Sequence, residues 1–205
     1  NSQPEHRTLP NADRYAVIGH PIAHSKSPII HKLFAEQTGQ EIEYEALDVE
    51  PEELDKCIRQ FLAAGGHGLN VTVPHKQDVL PLLDELTDRA KLAGAVNTIT
   101  QKEDGKLSGD NTDGVGLIAD LQTNLGYAIK GSDILVLGAG GATRGILPPL
   151  LDQRPHSLLI ANRTVKRAQQ LVEDFAAYGE LHTCGFDELE DRDFDLVLNA
   201  TSAGL

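Results

Sequence analysis

The apolar run Ile134-Leu135-Val136-Leu137 passes without a break into Gly138-Ala139-Gly140-Gly141-Ala142-Thr143, and a helix is predicted from there to about Leu151. No other feature constrains the fold as much. A short apolar run closed by glycine reads as a buried strand. The first glycine permits a tight turn, and the second lets the backbone approach a diphosphate. The helix that follows turns its first N–H groups and the positive end of its dipole toward an anion. The third position of this dinucleotide fingerprint is Thr143, where glycine or alanine is usual. A glycine-rich turn on its own can merely join a strand to a helix. Between a strand and a helix, the cofactor reading is the stronger one.

The next strand, Leu158–Ala161, selects among cofactors. A site for NAD places Asp or Glu about 20 residues on, where it holds the ribose 2′-hydroxyl. Here the strand ends in Asn162-Arg163-Thr164, with Lys166 and Arg167 close behind, in a chain whose net charge is −13. Cations at a helix start oppose its dipole, which disfavours a purely structural reading. A 2′-phosphate suits them, with Arg163 offering planar charge-assisted contacts. The expected cofactor is NADP, on Gly138, Ala139, Gly140, Gly141, Ala142, Asn162, Arg163, Thr164 and Arg167.

The rest of the chain is consistent with an α/β protein of two domains. It has 205 residues, 40% of them hydrophobic, with 19 Gly. Strands are predicted at 15–18, 42–47, 68–73, 96–100, 106–109, 181–184 and 196–198. Helices are predicted at 27–38, 51–64, 75–83, 88–93, 115–126 and 165–177. Ser27 reads as an N-cap, Pro28 as N1 and Gly39 as C′. The expected division is a polar disordered tail over 1–12, a first domain with a mostly parallel sheet over 13–112, and a Rossmann-type domain over 113–205. The acidic balance argues against nucleic acid and anionic membranes as partners, and no apolar run approaches the ~20 residues of a membrane span. Cys57 and Cys184 lie far apart and match no metal spacing, which suits a reduced, cytoplasmic setting. The irregular spacing of His20, His24 and His31 suggests no metal site either.

Four loops of the first domain carry polar residues that a structural reading leaves idle: Ser25-Lys26-Ser27-Pro28, Asn70 through Lys76, Ala95 through Thr98, and Asp110 through Asp113. With them the chain contains, in order, GHPIAHSKSPIIH, GLNVTVPHK, AGAVNTI, GDNTDGVG, GAGGATRG, NRTVKRA and NATSAG. Together these resemble the shikimate dehydrogenase family, from about Tyr15 to Leu205. The resemblance implies reversible NADPH-dependent reduction of 3-dehydroshikimate to shikimate, in aromatic amino-acid biosynthesis. It implies that Ser25 and Ser27 bind the substrate carboxylate and that Asn70, Thr72 and Asn97 bind ring hydroxyls and carboxylate. Lys76 and Asp113 form the catalytic pair, and Thr201 of the last motif joins the cofactor residues. Alcohol oxidation needs a group to take the hydroxyl proton; Lys76 is the first choice, with Asp113 orienting it, and the assignment between them stays open. His75 reads as a wall residue.

The sequence stops just after NATSAG, whereas the family continues with further strands, a loop against the nicotinamide and helices that return to the first domain. The expectation is an incomplete second sheet whose exposed edge invites pairing, so that a homodimer is the assembly to look for, and a chain with weak shikimate binding and negligible turnover. The alternatives are a quinate/shikimate dehydrogenase of broader specificity and an inactive binding module.

Overall fold

The computed structural model describes residues 12–189 and 192–201. The expected tail, apart from Ala12, and Ser202 to Gly204 of the last motif lie outside the described residues. The chain divides into two compact units, 1–85 with 98–108, and 86–97 with 109–205.

The first unit is built on β1 (Asp13–Gly19), β2 (Ile42–Asp48), β3 (Gly66–Val71), β4 (Glu85–Leu86), β5 (Thr98–Gln101) and β6 (Leu107–Asp110), in the order β2-β1-β3-β5-β6-β4. β1 pairs parallel with β2 and β3, while β3 pairs antiparallel with β5. The sheet is therefore mixed where a mostly parallel one was expected. β5 and β6 are joined by a turn closed by Lys102 N–H donating to the Lys106 carbonyl at 2.9 Å; that link is too short for the crossover that parallel neighbours require. The helices α1 (Ser27–Thr38) and α2 (Leu54–Ala63) belong to this unit. α2 buries Leu54, Ile58 and Phe61, an i, i+4, i+7 stripe, and a Cβ on Gly66 would stand 2.2 Å from the Phe61 ring.

The second unit holds α3 (Asp88–Ala93), α4 (Asp113–Ala119), β7 (Asp133–Leu137), α5 (Gly141–Asp152), β8 (Ser157–Ala161), α6 (Val165–Phe175), β9 (His182–Cys184) and β10 (Leu196–Asn199). Its sheet runs β10-β7-β8-β9 with parallel pairing, the 3-2-1-4 order of a doubly wound fold. Ile134, Val136, Leu158 and Ile160 enter one core with Leu147, Leu150 and Phe175, while Leu135, Leu159 and Cys184 enter a second core. Burial on both faces is why these strands read as unbroken apolar runs rather than alternating ones. Residues 86–97 and 109–112 group with this unit rather than with the first 112 residues. Arg144 of α5 makes the connection for α3: its Nε donates to the Ala93 carbonyl at 2.9 Å, and its guanidinium pairs with Asp174 at 2.7 Å.

Three local expectations are corrected. The predicted helix over 75–83 is a run of turns ending in a short 3-10 segment, Leu80–Leu82. Pro81 lacks the N–H that a helix interior needs. The predicted helix 115–126 is α4 followed by a π turn over Asp120–Asn124. The strand expected to reach Val73 ends at Val71, which leaves Thr72 in the following loop. Among the described residues no helix is long and apolar enough to cross a membrane.

Candidate active site

In the first unit the loops following β1, β2 and β3 interlock at the carboxyl ends of the strands, where α/β sheets place their ligands. Thr72 N–H donates to the Ile18 carbonyl at 2.9 Å, His20 N–H to Val73 at 2.9 Å, and Val49 N–H to Gly19 at 3.0 Å. A Cβ on Gly19 would lie 2.5 Å from the Thr72 methyl, so glycine here lets Thr72 come close. His75 is fully buried, and its Nε2–H donates to the Val49 carbonyl at 2.7 Å. A carbonyl can only accept, which fixes the proton on Nε2 and makes His75 a tie between two loops. Lys76 follows directly and is only 9% exposed, an unusual position for a lysine.

Ser25 and Ser27 meet at the start of α1, but not as the sequence suggested. The helix starts at Ser27 itself, with Lys26 as N-cap and no side-chain cap. Ser27 is the first helical residue and Pro28 the second. Ser25 Oγ accepts the Ser27 N–H at 3.3 Å, one of the donors that a helix start leaves unpaired. Ser25 thus has the structural task that the sequence seemed to deny it. Sequence reasoning also passed over Tyr44 and His31. The Tyr44 hydroxyl donates to Asn70 Oδ1 at 2.6 Å, and the His31 ring stacks on the phenol at 4.1 Å. Burial pushes the Tyr44 phenol upward, and a hydrogen bond with Ser27 works the other way.

In the second unit Asn97 and Asp113 are brought together. Asn97 Nδ2 donates to Asp113 Oδ1 at 2.8 Å and to Thr112 Oγ1 at 2.9 Å, and Asn97 Oδ1 accepts the Thr112 N–H at 3.0 Å. Asn111, 3% exposed, holds the loop from beneath: its Nδ2 donates to the Ala95 carbonyl at 3.0 Å and its Oδ1 accepts the Asp113 N–H at 3.1 Å. The motif containing Asn111 was visible in the sequence, but its inward direction was not. α5 packs against this loop through Gly145, where a Cβ would stand 2.7 Å from Asn111 Oδ1 and 3.1 Å from Asp113 Oδ2. Helix propensity alone favours alanine over glycine by ~1 kcal/mol. Overpacking costs ~1–3 kcal/mol and is the larger effect here. Gly145→Ala is expected to lower the denaturant midpoint; a raised midpoint would show that the loop gives way freely.

The same loop is anchored by Asp110. Arg89 grips both carboxylate oxygens, Thr87 Oγ1 donates at 2.7 Å and the Asn111 N–H donates at 2.7 Å. The Arg89 guanidinium, then the Thr87 and Asn111 donors, hold the Asp110 carboxyl down at about 2. A carboxylate whose folded value is depressed contributes stability above its unfolded value, near 4. That contribution is lost as pH falls from about 4 through about 2. The stability gap between the parent and Asp110→Asn should therefore be full at neutral pH and close across that window; a gap independent of pH would place the effect in packing instead.

The cofactor residues form the strand–turn–helix expected of them. Gly138 has φ +104°, and a Cβ there would stand 3.0 Å from the Ala200 carbonyl oxygen and 3.2 Å from the Thr201 methyl. Thr143, the departure from the fingerprint, is fully buried, and its hydroxyl donates to the Gly138 carbonyl at 2.9 Å. It secures the turn from within. A dinucleotide fits these residues. A Cβ on Gly140 would meet nothing within 4 Å, no side chain caps α5, and Gly141 and Ala142 supply its first turn. Ala139 lies partly buried between the two glycines. At the end of β8, Asn162 Nδ2 donates to the Thr164 carbonyl at 2.9 Å and folds the loop, leaving Arg163, Thr164 and Arg167 exposed. Thr201 Oγ1 donates to Asn199 Oδ1 at 2.7 Å.

Comparison with known proteins agrees with this architecture. Residues 17–99 match the family profile described as the shikimate dehydrogenase substrate binding domain, and residues 120–205 match shikimate / quinate 5-dehydrogenase. The shikimate dehydrogenase (NADP(+)) of Methylococcus capsulatus is 55% identical over 193 residues, covering 94% of this chain and 69% of that protein. That of Alkalilimnicola ehrlichii is 56% identical over 193 residues, covering 94% and 71%. Among solved structures, shikimate 5-dehydrogenase from Thermus thermophilus in complex with NADP(H) and shikimate gives a TM-score of 0.80 at 38% identity, covering 92% of this chain and 68% of that one. Shikimate dehydrogenase from Aquifex aeolicus gives 0.82 at 36% identity, covering 93% and 69%. The chain belongs to the shikimate dehydrogenase family.

Proposed function

We infer that the protein is an NADP-dependent shikimate dehydrogenase that reduces 3-dehydroshikimate reversibly to shikimate. The observation that carries this reading is the glycine-opened, uncapped start of α5 next to a β8 end that carries Arg163 and no carboxylate. NADPH, when bound, supplies the hydride to the carbonyl carbon. In the first unit, which we read as mainly substrate-binding, Ser25 and Ser27 hold the carboxylate, with the start of α1 adding its dipole. Asn70 and Thr72 hold ring hydroxyls. Lys76 delivers the proton to the carbonyl oxygen in reduction and takes it back in oxidation. In the second unit, which we read as the NADP domain, Asn97 donates to substrate oxygens and holds Asp113, which accepts a substrate hydroxyl. Gly138, Ala139, Gly140, Gly141 and Ala142 cradle the diphosphate, and Thr201 closes against Gly138. Asn162, Arg163, Thr164 and Arg167 take the 2′-phosphate.

The free thiols of Cys57 and Cys184, both pushed upward by burial, fit a reducing cytoplasm. Among the described residues β10 is an edge strand, and pairing of two such edges would give a homodimer. The test of the function is steady-state turnover, in a version carrying the full length of its relatives, with shikimate against quinate, each with NADP and with NAD. Shikimate with NADP should lead by at least about tenfold in kcat/KM, or about 1.4 kcal/mol. Equal rates on quinate would assign the protein to the broader-specificity enzymes.

A further inference from the structure

Tyr44 lies on β2, an edge strand, and no role assigned above uses it. The sheet order β2-β1-β3 and the pairing Tyr15↔Tyr44 and Val17↔Asn70 put Tyr44 and Asn70 on either side of β1. Residues two apart on a strand share a face, so the two side chains rise from the same side of the sheet. The phenol spans the intervening strand, and its hydroxyl ends 2.6 Å from Asn70 Oδ1. His31, one turn into α1, lies flat on the ring, with centroids 4.1 Å apart and planes 5° apart. The phenol therefore reaches across β1 to a residue read as substrate-binding, and an imidazole fixes its plane.

We propose that Tyr44, steadied by His31, is a positioning residue that sets which end of the Asn70 amide faces the substrate. This rests on the reading of Asn70 as a substrate ligand. An amide has one donor end and one acceptor end, and a half-turn exchanges them. The 2.6 Å separation is an O–H···O length, shorter than N–H···O bonds run, so the amide oxygen is the atom facing the phenol. Asn70 Nδ2 then lies on the other side, 3.4 Å from Thr98 Oγ1. The N–H end is the one that meets a ligand oxygen, which suits a hydroxyl or carboxylate lone pair. Without the phenolic proton the half-turn becomes cheap, and the flipped amide presents an acceptor where a donor is needed. The ring itself touches no reacting atom in this scheme, and its whole effect passes through Asn70.

Tyr44→Phe keeps the ring and its stacking and removes only the hydroxyl. In steady-state assays with shikimate and NADP, made in a version carrying the full length of its relatives, the variant should raise the shikimate KM by about 5- to 10-fold, the loss of one hydrogen bond's worth of orientation. Its kcat should stay within about twofold and its NADP KM should not change. The second arm is a double-mutant cycle, because a residue that acts through another loses its effect when the other is gone. In an Asn70→Ala background, Tyr44→Phe should change the shikimate KM no further. An unchanged KM in the single variant overturns the proposal. So does an equal penalty in both backgrounds, which would make Tyr44 an independent contact or a packing residue. A parent protein that does not bind shikimate at all counts against the proposed function itself, and is distinguished from both outcomes by the parent's own titration.

Discussion

In a version carrying the full length of its relatives, replacing Lys76 by alanine is expected to cut shikimate turnover by ~10²–10⁴-fold, the usual contribution of a positioned acid–base group, while shikimate affinity changes little. Three observations support so large an effect on turnover. Lys76 is 9% exposed, so its ammonium has been taken out of bulk water at a cost that a surface lysine avoids. It stands in the turn after β3, directly beyond Asn70 and Thr72, which places it with the residues read as substrate ligands. The preceding residue, His75, is locked by its bond to Val49 and has no freedom to follow a shifting backbone. The measurement is kcat and KM for shikimate with saturating NADP, beside an unfolding curve to confirm that the variant is folded. Because chemistry is slowed and binding is not, kcat and kcat/KM should fall together. Near-parental turnover would move the proton transfer to Asp113. A rise in KM with kcat unchanged would make Lys76 a binding residue only.

The second unit was legible in the sequence because its information is local. Each β-turn-α step is written within about 20 residues, and strands buried on both faces announce themselves as apolar runs such as Leu158–Ala161. The departure at Thr143 looked like a weakness of the fingerprint. It proves to be a buried hydroxyl tied to the Gly138 carbonyl, while Gly145, two residues on, admits the loop that carries Asn111 and Asp113. The first unit was less legible because its order is set by contacts between distant residues. Nothing near Thr98 says that β5 runs antiparallel to β3, since the partner lies some thirty residues earlier. The stretch 75–83 has a helix-like composition, and only Pro81 argues otherwise. Tyr44 was invisible for a different reason: tyrosine is an ordinary strand residue, and its contact with Asn70 spans 26 positions. Ser25 shows the converse. The sequence left it with function as its sole justification, and the structure adds the Ser27 N–H.

The discrimination between cofactors should fall mainly on Arg163. Arg163→Ala is expected to weaken NADP by about 10- to 150-fold, corresponding to about 1.5–3 kcal/mol for a hydrogen bond to a charged group, and to leave NAD nearly unchanged. The direction follows from chemistry, because the two cofactors differ only in the 2′-phosphate, and a guanidinium lost from that position removes nothing that NAD uses. The magnitude follows from the setting. The chain carries −13 overall, so a dianionic phosphate approaches against a repulsive field and depends on local cations. Arg163 is the second residue after the strand end, in a loop folded by the Asn162 side chain onto the Thr164 carbonyl at 2.9 Å. Arg167, in the first turn of α6, is exposed beside Lys166 and should cost less when removed. Adding an acidic residue should go further: Arg163→Asp combines loss of the phosphate contact with charge repulsion and supplies an acceptor for the 2′-hydroxyl, so the preference should turn toward NAD. Binding of both cofactors to the parent and the two variants, measured at one ionic strength because exposed charges are screened by salt, decides the matter. Equal losses for NADP and NAD would mean that Arg163 stacks on adenine or supports the loop, and the cofactor preference would then have to come from elsewhere in the α6 start.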